Sequence, residues 1–181
     1  QDRDDVGNDN YTGFRLSALW HPFEPIDITL SYLQQKIEQD GVPEIGLTLK
    51  EDYDQRRLNT GASGTGYEFL NNEIDIMNLV INYNLGWATI TNSSSLIDYN
   101  SEAGEDHSHF MSLYDGIIPG FGLTNQPYYN DTYQNSDITS NELRLVSQLE
   151  GPIQVSAGLY YEDIQGDDGN RFVWSGDPNL E

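Results

Sequence analysis

Hydrophobic and polar residues alternate with a period of two over six stretches of the chain, and these stretches form three closely spaced pairs. Such alternation is typical of β-strands, because successive side chains of a strand point to opposite faces of a sheet. We therefore predict six strands in three hairpins. They are Tyr11–Trp20, Ile26–Gln35, Ile74–Asn84, Ala88–Asp98, Ile138–Leu149 and Ile153–Asp163.

Each pair is joined by a short segment that favours a turn. His21-Pro22-Phe23-Glu24-Pro25 joins the first pair, and its two prolines fix φ and remove ladder donors. Leu85-Gly86-Trp87 joins the second pair. Glu150-Gly151-Pro152 joins the third, combining a residue free to adopt positive φ with one that lacks a backbone N–H.

Polar connections of more than thirty residues separate the predicted hairpins. Short turns at one end and long loops at the other are typical of a transmembrane β-barrel. The aromatic residues Trp20, Phe23 and Trp87 lie beside the turns, where an interfacial girdle would place them. We predict an all-β fold of antiparallel up-and-down hairpins, about six strands of a larger barrel, with short periplasmic turns and long extracellular loops.

One predicted strand is less regular than the others. Ala88 and Ile90 are followed at the same spacing by Asn92 and Ser94, which are polar. The pattern therefore predicts either a shifted register or a β-bulge near Ser93.

Composition narrows the class of protein. The 181 residues carry 8 Lys+Arg against 30 Asp+Glu, a net charge of −22. So acidic a surface repels phosphates, and we expect no nucleic-acid partner. The chain contains no cysteine, which excludes disulfides, thiolate metal sites and a cysteine nucleophile. No apolar run is long enough for a membrane helix, whereas the alternating strands of a barrel need none.

Three stretches of the chain resemble the barrel of TonB-dependent outer-membrane receptors. The first is Thr12–Pro22, with Gly13, Arg15, Trp20 and Pro22 in the spacing of that family's strand and turn. The others are Trp87–Tyr99, and Ser140–Ser147 followed by Ala157–Glu162.

This resemblance implies a barrel of about twenty-two strands around a plug, located in the cell outer membrane of a Gram-negative bacterium. It implies import of a scarce ligand, such as a siderophore–iron complex or another large nutrient, energised by a TonB-type complex. We read residues 1–181 as part of that barrel domain, without the plug and the terminal strands, so coupling and gating residues are not assigned. The resemblance implies neither an enzyme activity nor a cofactor.

The predicted loop between the second and third hairpins is rich in aromatic side chains. Stiff aromatic side chains supply contact area at binding sites, which favours a ligand contact at the extracellular mouth. The alternative is that this segment packs on its neighbours or folds into the lumen. The predicted ligand contacts are Tyr114, Phe121, Tyr128, Tyr129 and Tyr133.

Two arginines lie on the polar side of predicted strands. Arg15 and Arg144 would line the lumen of a barrel. We expect them to pair with nearby acids such as Asp27 or Glu142 rather than to bind a ligand.

Other groups that could carry chemistry have a simpler interpretation as solvated loop residues. His107 and His109 have the spacing of a metal-binding pair in extended chain but lack a third ligand. Two acidic clusters do not fit the calcium loop pattern. The clusters are Asp2, Asp4 and Asp5, and Asp163, Asp167 and Asp168.

Two alternatives remain open from the sequence alone. A secreted, acidic β-sandwich that serves as an adhesion or calcium-binding module would share the alternating pattern, since a sandwich strand also has one core face and one wet face. A passive porin would share the hairpins but not the three stretches that resemble receptors.

Overall fold

The computed structural model of the chain describes residues 8–40, 68–106, 117 and 128–174. Six strands form one antiparallel sheet in which each strand pairs with the next along the chain. The all-β, up-and-down hairpin arrangement predicted from the alternation is therefore confirmed. The strands are β1 Asp9–Phe23, β2 Ile26–Asp40, β3 Phe69–Asn84, β4 Ala88–Asp106, β5 Tyr128–Ser147 and β6 Ser156–Trp174.

The strands are longer than the alternation predicts, and they grow at the end away from the turns. β2 continues from Gln35 to Asp40, and β4 continues from Asp98 to Asp106. The connections between hairpins, residues 41–68 and 107–127, are correspondingly shorter than the predicted thirty residues or more. Strand pairing thus extends into segments whose side chains are polar on both faces.

The register is continuous through the irregular fourth strand. Ser93 pairs with Val80 on one side and with Glu142 on the other, with no interruption. The prediction of a shifted register or bulge near Ser93 is therefore wrong. The one register shift among the described strands lies in β1, between Trp20 and Phe23.

Local chemistry accounts for the first two turns. Glu24 and Pro25 alone separate β1 from β2. In the second turn the Asn84 Oδ1 atom accepts the Gly86 N–H at 2.8 Å, and Gly86 adopts φ of 85°, which glycine tolerates without a steric cost.

The third turn is wider than predicted, because β5 ends at Ser147 and β6 begins at Ser156. In this turn, the side chain of Gln154 forms hydrogen bonds with the backbone that a paired strand would otherwise form. Its Oε1 atom accepts the Leu149 N–H at 3.2 Å, and its Nε2 atom donates to the Leu149 carbonyl at 2.6 Å. The Ser147 hydroxyl accepts the Val155 N–H at 2.7 Å. Side chains therefore close this turn where the backbone ladder stops.

The described residues form a single layer with almost no core. Ala88 is the one apolar residue among them that is buried, and large apolar side chains such as Leu16 are 68% exposed. A sheet ordinarily buries one face against a second layer. Within the described part of the chain no second layer exists, so both faces of this sheet are open.

Candidate functional site: the two faces of the sheet

Residues that pair directly from strand to strand form rows across the sheet, and paired side chains share a face. We call the face that carries Phe14, Leu16 and Trp20 the front face, and the other the back face. The pairing carries these assignments from β1 through to β6.

The front face carries an apolar band in the half of the sheet nearest the turns. Many of its side chains are open to the surroundings; Leu159, for example, is 75% exposed. Aromatic side chains line its edge at the turns, with Trp20 and Phe23 on β1 and Tyr83 on β3. Trp87 directly precedes β4 at the same end of the sheet. The band consists of Phe14, Leu16, Ala18, Trp20, Ile28, Leu30, Tyr32, Met77, Leu79, Ile81, Tyr83, Ala88, Ile90, Leu96, Leu143, Leu145, Ala157, Leu159 and Tyr161.

Beyond the band, the front face becomes acidic. Asp75, Asp98 and Asp137 pair directly with one another across three strands. Like charges at directly opposed positions repel. Neutral donors offset part of this cost: the Tyr32 hydroxyl donates to Asp75, and the Asn100 amide donates to Asp98 at 2.6 Å.

Among the described residues, two ion pairs are present in this acidic half of the front face, and one of them joins Arg171 to Asp131 at 2.8 Å. The other joins Lys36 to Glu38. The Lys36 Nζ atom lies 2.7 Å from Glu38 Oε1, and the Asn10 amide donates to the same carboxylate at 3.1 Å. The hydrogen bond to Glu38 raises the pKa of Lys36. The hydrogen bonds from Lys36 and then Asn10 lower the pKa of Glu38. Both groups therefore stay charged over a wide pH range.

A polar cluster interrupts the apolar band on β4 and β5. The Asn141 amide donates to the Ser94 hydroxyl at 2.7 Å, Ser94 donates to Asn92 Oδ1 at 3.3 Å, and the Asn92 amide donates to Asn141 Oδ1 at 3.3 Å. These three bonds form a closed ring, which we call the Asn92 ring. Because each member satisfies another, the ring reduces the cost of placing polar groups in an apolar surface.

The back face near the turns is covered by hydroxyl and amide groups. Ser17 and Ser31 lie 2.9 Å apart across β1 and β2. The Asn78 amide donates to Ser95 at 2.8 Å. This surface is mostly polar where the front face is mostly apolar, with Leu19, Val80 and Val146 as apolar exceptions on the back face.

The back face also carries the two arginines predicted to line a lumen. Arg144 lies 3.8 Å from Glu142, as expected. Asp27 instead binds His21, with 2.6 Å between Asp27 Oδ1 and His21 Nδ1. The expected pairing of Arg15 with Asp27 is therefore wrong, and Arg15 has no ion pair within the described residues.

Further from the turns, the back face has an apolar row that the alternation did not predict to be continuous. Its members pair directly across five strands. They are Leu33, Ile76, Ile97, Ile138 and Ile164.

The predicted ligand contacts fall in different parts of the chain. Tyr133 lies on β5 at the front face, and its ring covers Gly169 of the neighbouring strand. Tyr128 and Tyr129 are the first two residues of the same strand and do not belong to a loop. Tyr114 and Phe121 lie outside the described residues. Packing on Gly169 accounts for the position of Tyr133 without excluding a ligand there.

The acidic residues near the end of β6 do not form a cluster. Asp163 and Asp167 point to the front face, whereas Asp168 points to the back, because adjacent residues of a strand alternate. They belong to a strand and not to a loop. No group of three or more His, Cys, Asp or Glu side chains within the described ranges could hold a metal ion.

The remaining candidates for metal binding cannot be placed. His107 and His109 lie outside the described residues, as do Asp2, Asp4 and Asp5.

Sequence reasoning missed the Asn92 ring and the Gln154 turn. Asn92 and Asn141 are 49 positions apart, so their contact depends on the register of β4 with β5. The sequence does contain a signal, because Asn92 and Ser94 are polar at positions where the alternation predicts apolar residues. That signal was interpreted as an irregular backbone.

Comparison with known proteins identifies no relative. No protein-family model matches the chain, and no curated protein is significantly similar to it. Across the residues that the structure describes, no helix combines the length and the hydrophobicity needed to cross a membrane.

Proposed function

We propose that this chain forms part of the wall of a transmembrane β-barrel in an outer-membrane active transporter of the TonB-dependent receptor class. The observation that carries the proposal is the exposed apolar band on one face of a single-layer sheet, beside short turns. The bilayer and the barrel lumen are two environments that cover the two faces of such a sheet without a second protein layer.

The absence of a core among the described residues supports this reading. A single sheet with both faces in water would expose the whole apolar band, and such sheets are not stable alone. Lipid would cover the front face, and the hydroxyl and amide groups of the back face would meet a wet interior. A barrel strand has this division of faces along its length.

The height of the band can be compared with that of a membrane. From Ile26 to Tyr32 the backbone of β2 runs about 20 Å, at about 3.4 Å per residue. With the usual tilt of about 40°, this corresponds to about 16 Å along the membrane normal, about two thirds of the apolar band of about 25 Å in outer-membrane barrels. Trp20, Tyr83 and Trp87 at the turn edge match an aromatic girdle.

The two edges of the sheet point to further strands. β1 and β6 each pair with a single neighbour among the described strands, and they are 15 and 19 residues long. Long unpaired edges invite aggregation and cost hydrogen bonds in a membrane. We infer that other strands of a larger barrel cover both edges.

The sandwich alternative is less well supported by the fold. A β-sandwich buries the inner faces of two packed sheets. The described residues provide one sheet, and its apolar side chains are exposed. An adhesion or calcium-binding module would need a second sheet from elsewhere to cover the band.

The transport activity itself rests on the stretches that resemble receptors. Import of this kind involves no covalent chemistry. An extracellular ligand, such as a siderophore–iron complex or another large nutrient, would bind at the aromatic residues of the mouth, including Tyr133. A TonB-type complex would supply the energy through a plug, and outer-membrane lipid would contact the band.

Cell fractionation provides the first test. We expect the protein in the outer-membrane fraction, resistant to extraction with alkaline carbonate. Uptake of iron-loaded siderophores by cells with and without the gene should then differ, and a protonophore should abolish the difference. Recovery of the protein as a soluble species would refute the barrel. Uptake that survives the protonophore would indicate a passive pore instead.

A further inference from the structure

The loop-side boundary of the apolar band is not parallel to the rows of the sheet. Phe14 pairs with Gln34, so the band on β1 reaches one row beyond Tyr32 on β2. Three strands then share one boundary row. On β5 and β6 the boundary falls back toward the turns. The last apolar front-face residues, in strand order, are Phe14, Tyr32, Met77, Leu96, Leu143 and Tyr161.

The size of this fall can be read from the pairing. The boundary row of Tyr32, Met77 and Leu96 continues into Thr139 on β5 and Asp163 on β6. Those two residues are polar, and the band resumes only closer to the turns. Relative to β1, the boundary lies three rows lower on β5, at Leu143, and two rows lower on β6, at Tyr161.

The turn side of the sheet falls in the same direction. The last pair of the first hairpin is Phe23 with Ile26. Ile26 pairs with Tyr83 of the second hairpin, but that hairpin extends two residues beyond Tyr83, because the Leu85 N–H donates to the Ala88 carbonyl. The third hairpin likewise extends to the bond between Ser147 and Val155. Both limits of the band are therefore oblique to the rows.

The slope of the boundary is similar to the angle by which strands tilt in β-barrels. Two rows are four residues, or about 14 Å along the strands, and five strand spacings are about 24 Å across the sheet. The ratio gives an angle of about 30°, which is near the tilt of about 35–45° that strands adopt in barrels.

We propose that lipid acyl chains cover the front face in a plane oblique to its hydrogen-bonded rows, so that the strands cross the membrane tilted by about 30°. The inference rests on the proposed barrel and adds the limits of the band and the tilt of the strands relative to it. Residues of one row then lie at different depths. Asp163 lies about 12 Å closer to the loop side than Leu16, which occupies the same row.

The hand of the sheet agrees with this assignment. Asp40, a front-face residue, donates its backbone N–H at 2.9 Å to the carbonyl of Asn8, the residue just before β1. For an L-residue in a strand, the directions of the side chain and of the N–H fix the side on which the neighbour lies. Viewed from the front with the turns below, β1 is therefore rightmost. Right-handed coiling tilts the strands upward to the right in this view. A boundary that is level in the membrane therefore shifts toward the turns from β1 to β6, relative to the rows of the sheet, as observed.

The oblique plane also accounts for polar residues on the front face. Thr139, Asn141 and Asp163 would interrupt a band drawn along the rows. Thr139 and Asp163 lie on the loop side of a boundary that falls by two rows from β1 to β6, and Asn141 lies at that boundary. Asn92 and Ser94 remain inside the band, and the ring with Asn141 satisfies both of them.

Depth measurement with single cysteines tests the inference, and the chain has no native cysteine to remove. We would label Leu16→Cys, Met77→Cys and Asp163→Cys, which belong to one row, with a fluorophore in isolated membranes. Lipids carrying quenchers at defined depths then report position. Ser17→Cys and Glu162→Cys, on the back face beside the two ends of the row, are the matched controls.

We expect graded depths, with Leu16→Cys deepest, Asp163→Cys about 12 Å shallower, and weak quenching at both controls. Equal depths for the three row positions would overturn the oblique band while leaving the barrel intact. Quenching that is stronger at the back-face controls would overturn the assignment of the front face to lipid. Absence of lipid quenching at every site would refute the proposed barrel together with this inference.

Discussion

The near-turn half and the loop-side half of this sheet have opposite polarity. Near the turns, the front face is apolar and the back face carries Ser17, Ser31 and Asn78. Further along the same strands, the front face carries Asp75 and its acidic neighbours, while the back face carries the apolar row. The environment of a side chain therefore depends on its height as well as on its face.

The two halves also satisfy their polar groups differently. The polar groups of the Asn92 ring bond one another inside an apolar surface. The loop-side carboxylates are exposed or half-buried, and several accept bonds from side-chain amides, such as Asp167 from Asn135 at 3.4 Å. Loss of one partner is costly in the first setting and cheap in the second, because water replaces it only in the second.

The largest expected effect is a charge placed in the band. Leu30→Arg puts a cation in the middle of the front face near the turns, and we expect a loss of about 2–4 kcal/mol in the free energy of unfolding, measured by denaturant titration in lipid vesicles. Gln34→Arg, on the same strand and face but beyond the band, should change it by less than about 0.5 kcal/mol.

Thr29→Arg is the control for the face. It lies beside Leu30 but points to the back, where a wet interior accepts a charge, so we expect a loss below about 1 kcal/mol. Equal losses for Leu30→Arg and Thr29→Arg would contradict the two-faced near-turn half.

Alternation predicted the strands well where one side of each is apolar. The near-turn segments of β1, β2 and β3 have that pattern, so their positions and the turns between them follow from the sequence. The extensions Lys36–Asp40 and Gln165–Trp174 have polar residues on both faces, and local pattern therefore gives no signal. Pairing with the neighbouring strand holds them in the sheet, as Lys36 with Glu73 illustrates.

Contacts that depend on strand register could not be predicted from the sequence. The alternation of Ile153 and Val155 predicted strand, but Gln154 binds Leu149 and leaves the ladder open there. The cover of Gly169 by Tyr133 likewise requires the pairing of β5 with β6. These features involve partners chosen by the fold and not by neighbouring residues.

The next effect concerns the Asn92 ring. Asn141→Ala removes the donor to Ser94 and one of the two acceptors of the Asn92 amide, the other being the Glu142 carbonyl, and we expect a loss of about 1–3 kcal/mol in the free energy of unfolding. Asn135→Ala, on the same strand and face but in the loop-side half, should cost less than about 0.5 kcal/mol. If both variants cost the same in denaturant titration, the ring is no more shielded from water than the half-buried Asn135 amide in the loop-side half.

The third turn provides a smaller effect at the turn edge. Gln154→Ala removes both bonds to the Leu149 backbone, and we expect a loss of about 1–2 kcal/mol. Gln154→Glu keeps the acceptor and the side-chain size but loses the donor to the Leu149 carbonyl, so an intermediate loss is expected. A neutral Gln154→Ala variant would show that water replaces the side chain and that the wide turn needs no closure.

The smallest effect separates packing from ligand binding at Tyr133. Tyr133→Ala uncovers Gly169, and we expect a loss of about 0.2–1 kcal/mol, the range of cross-strand pairs. Tyr133→Phe keeps the ring over the glycine and should retain stability. If the hydroxyl contacts the ligand, Tyr133→Phe lowers siderophore uptake at unchanged stability. Uptake and stability both intact in Tyr133→Phe would assign this side chain to the sheet alone, because only the covering ring would then matter.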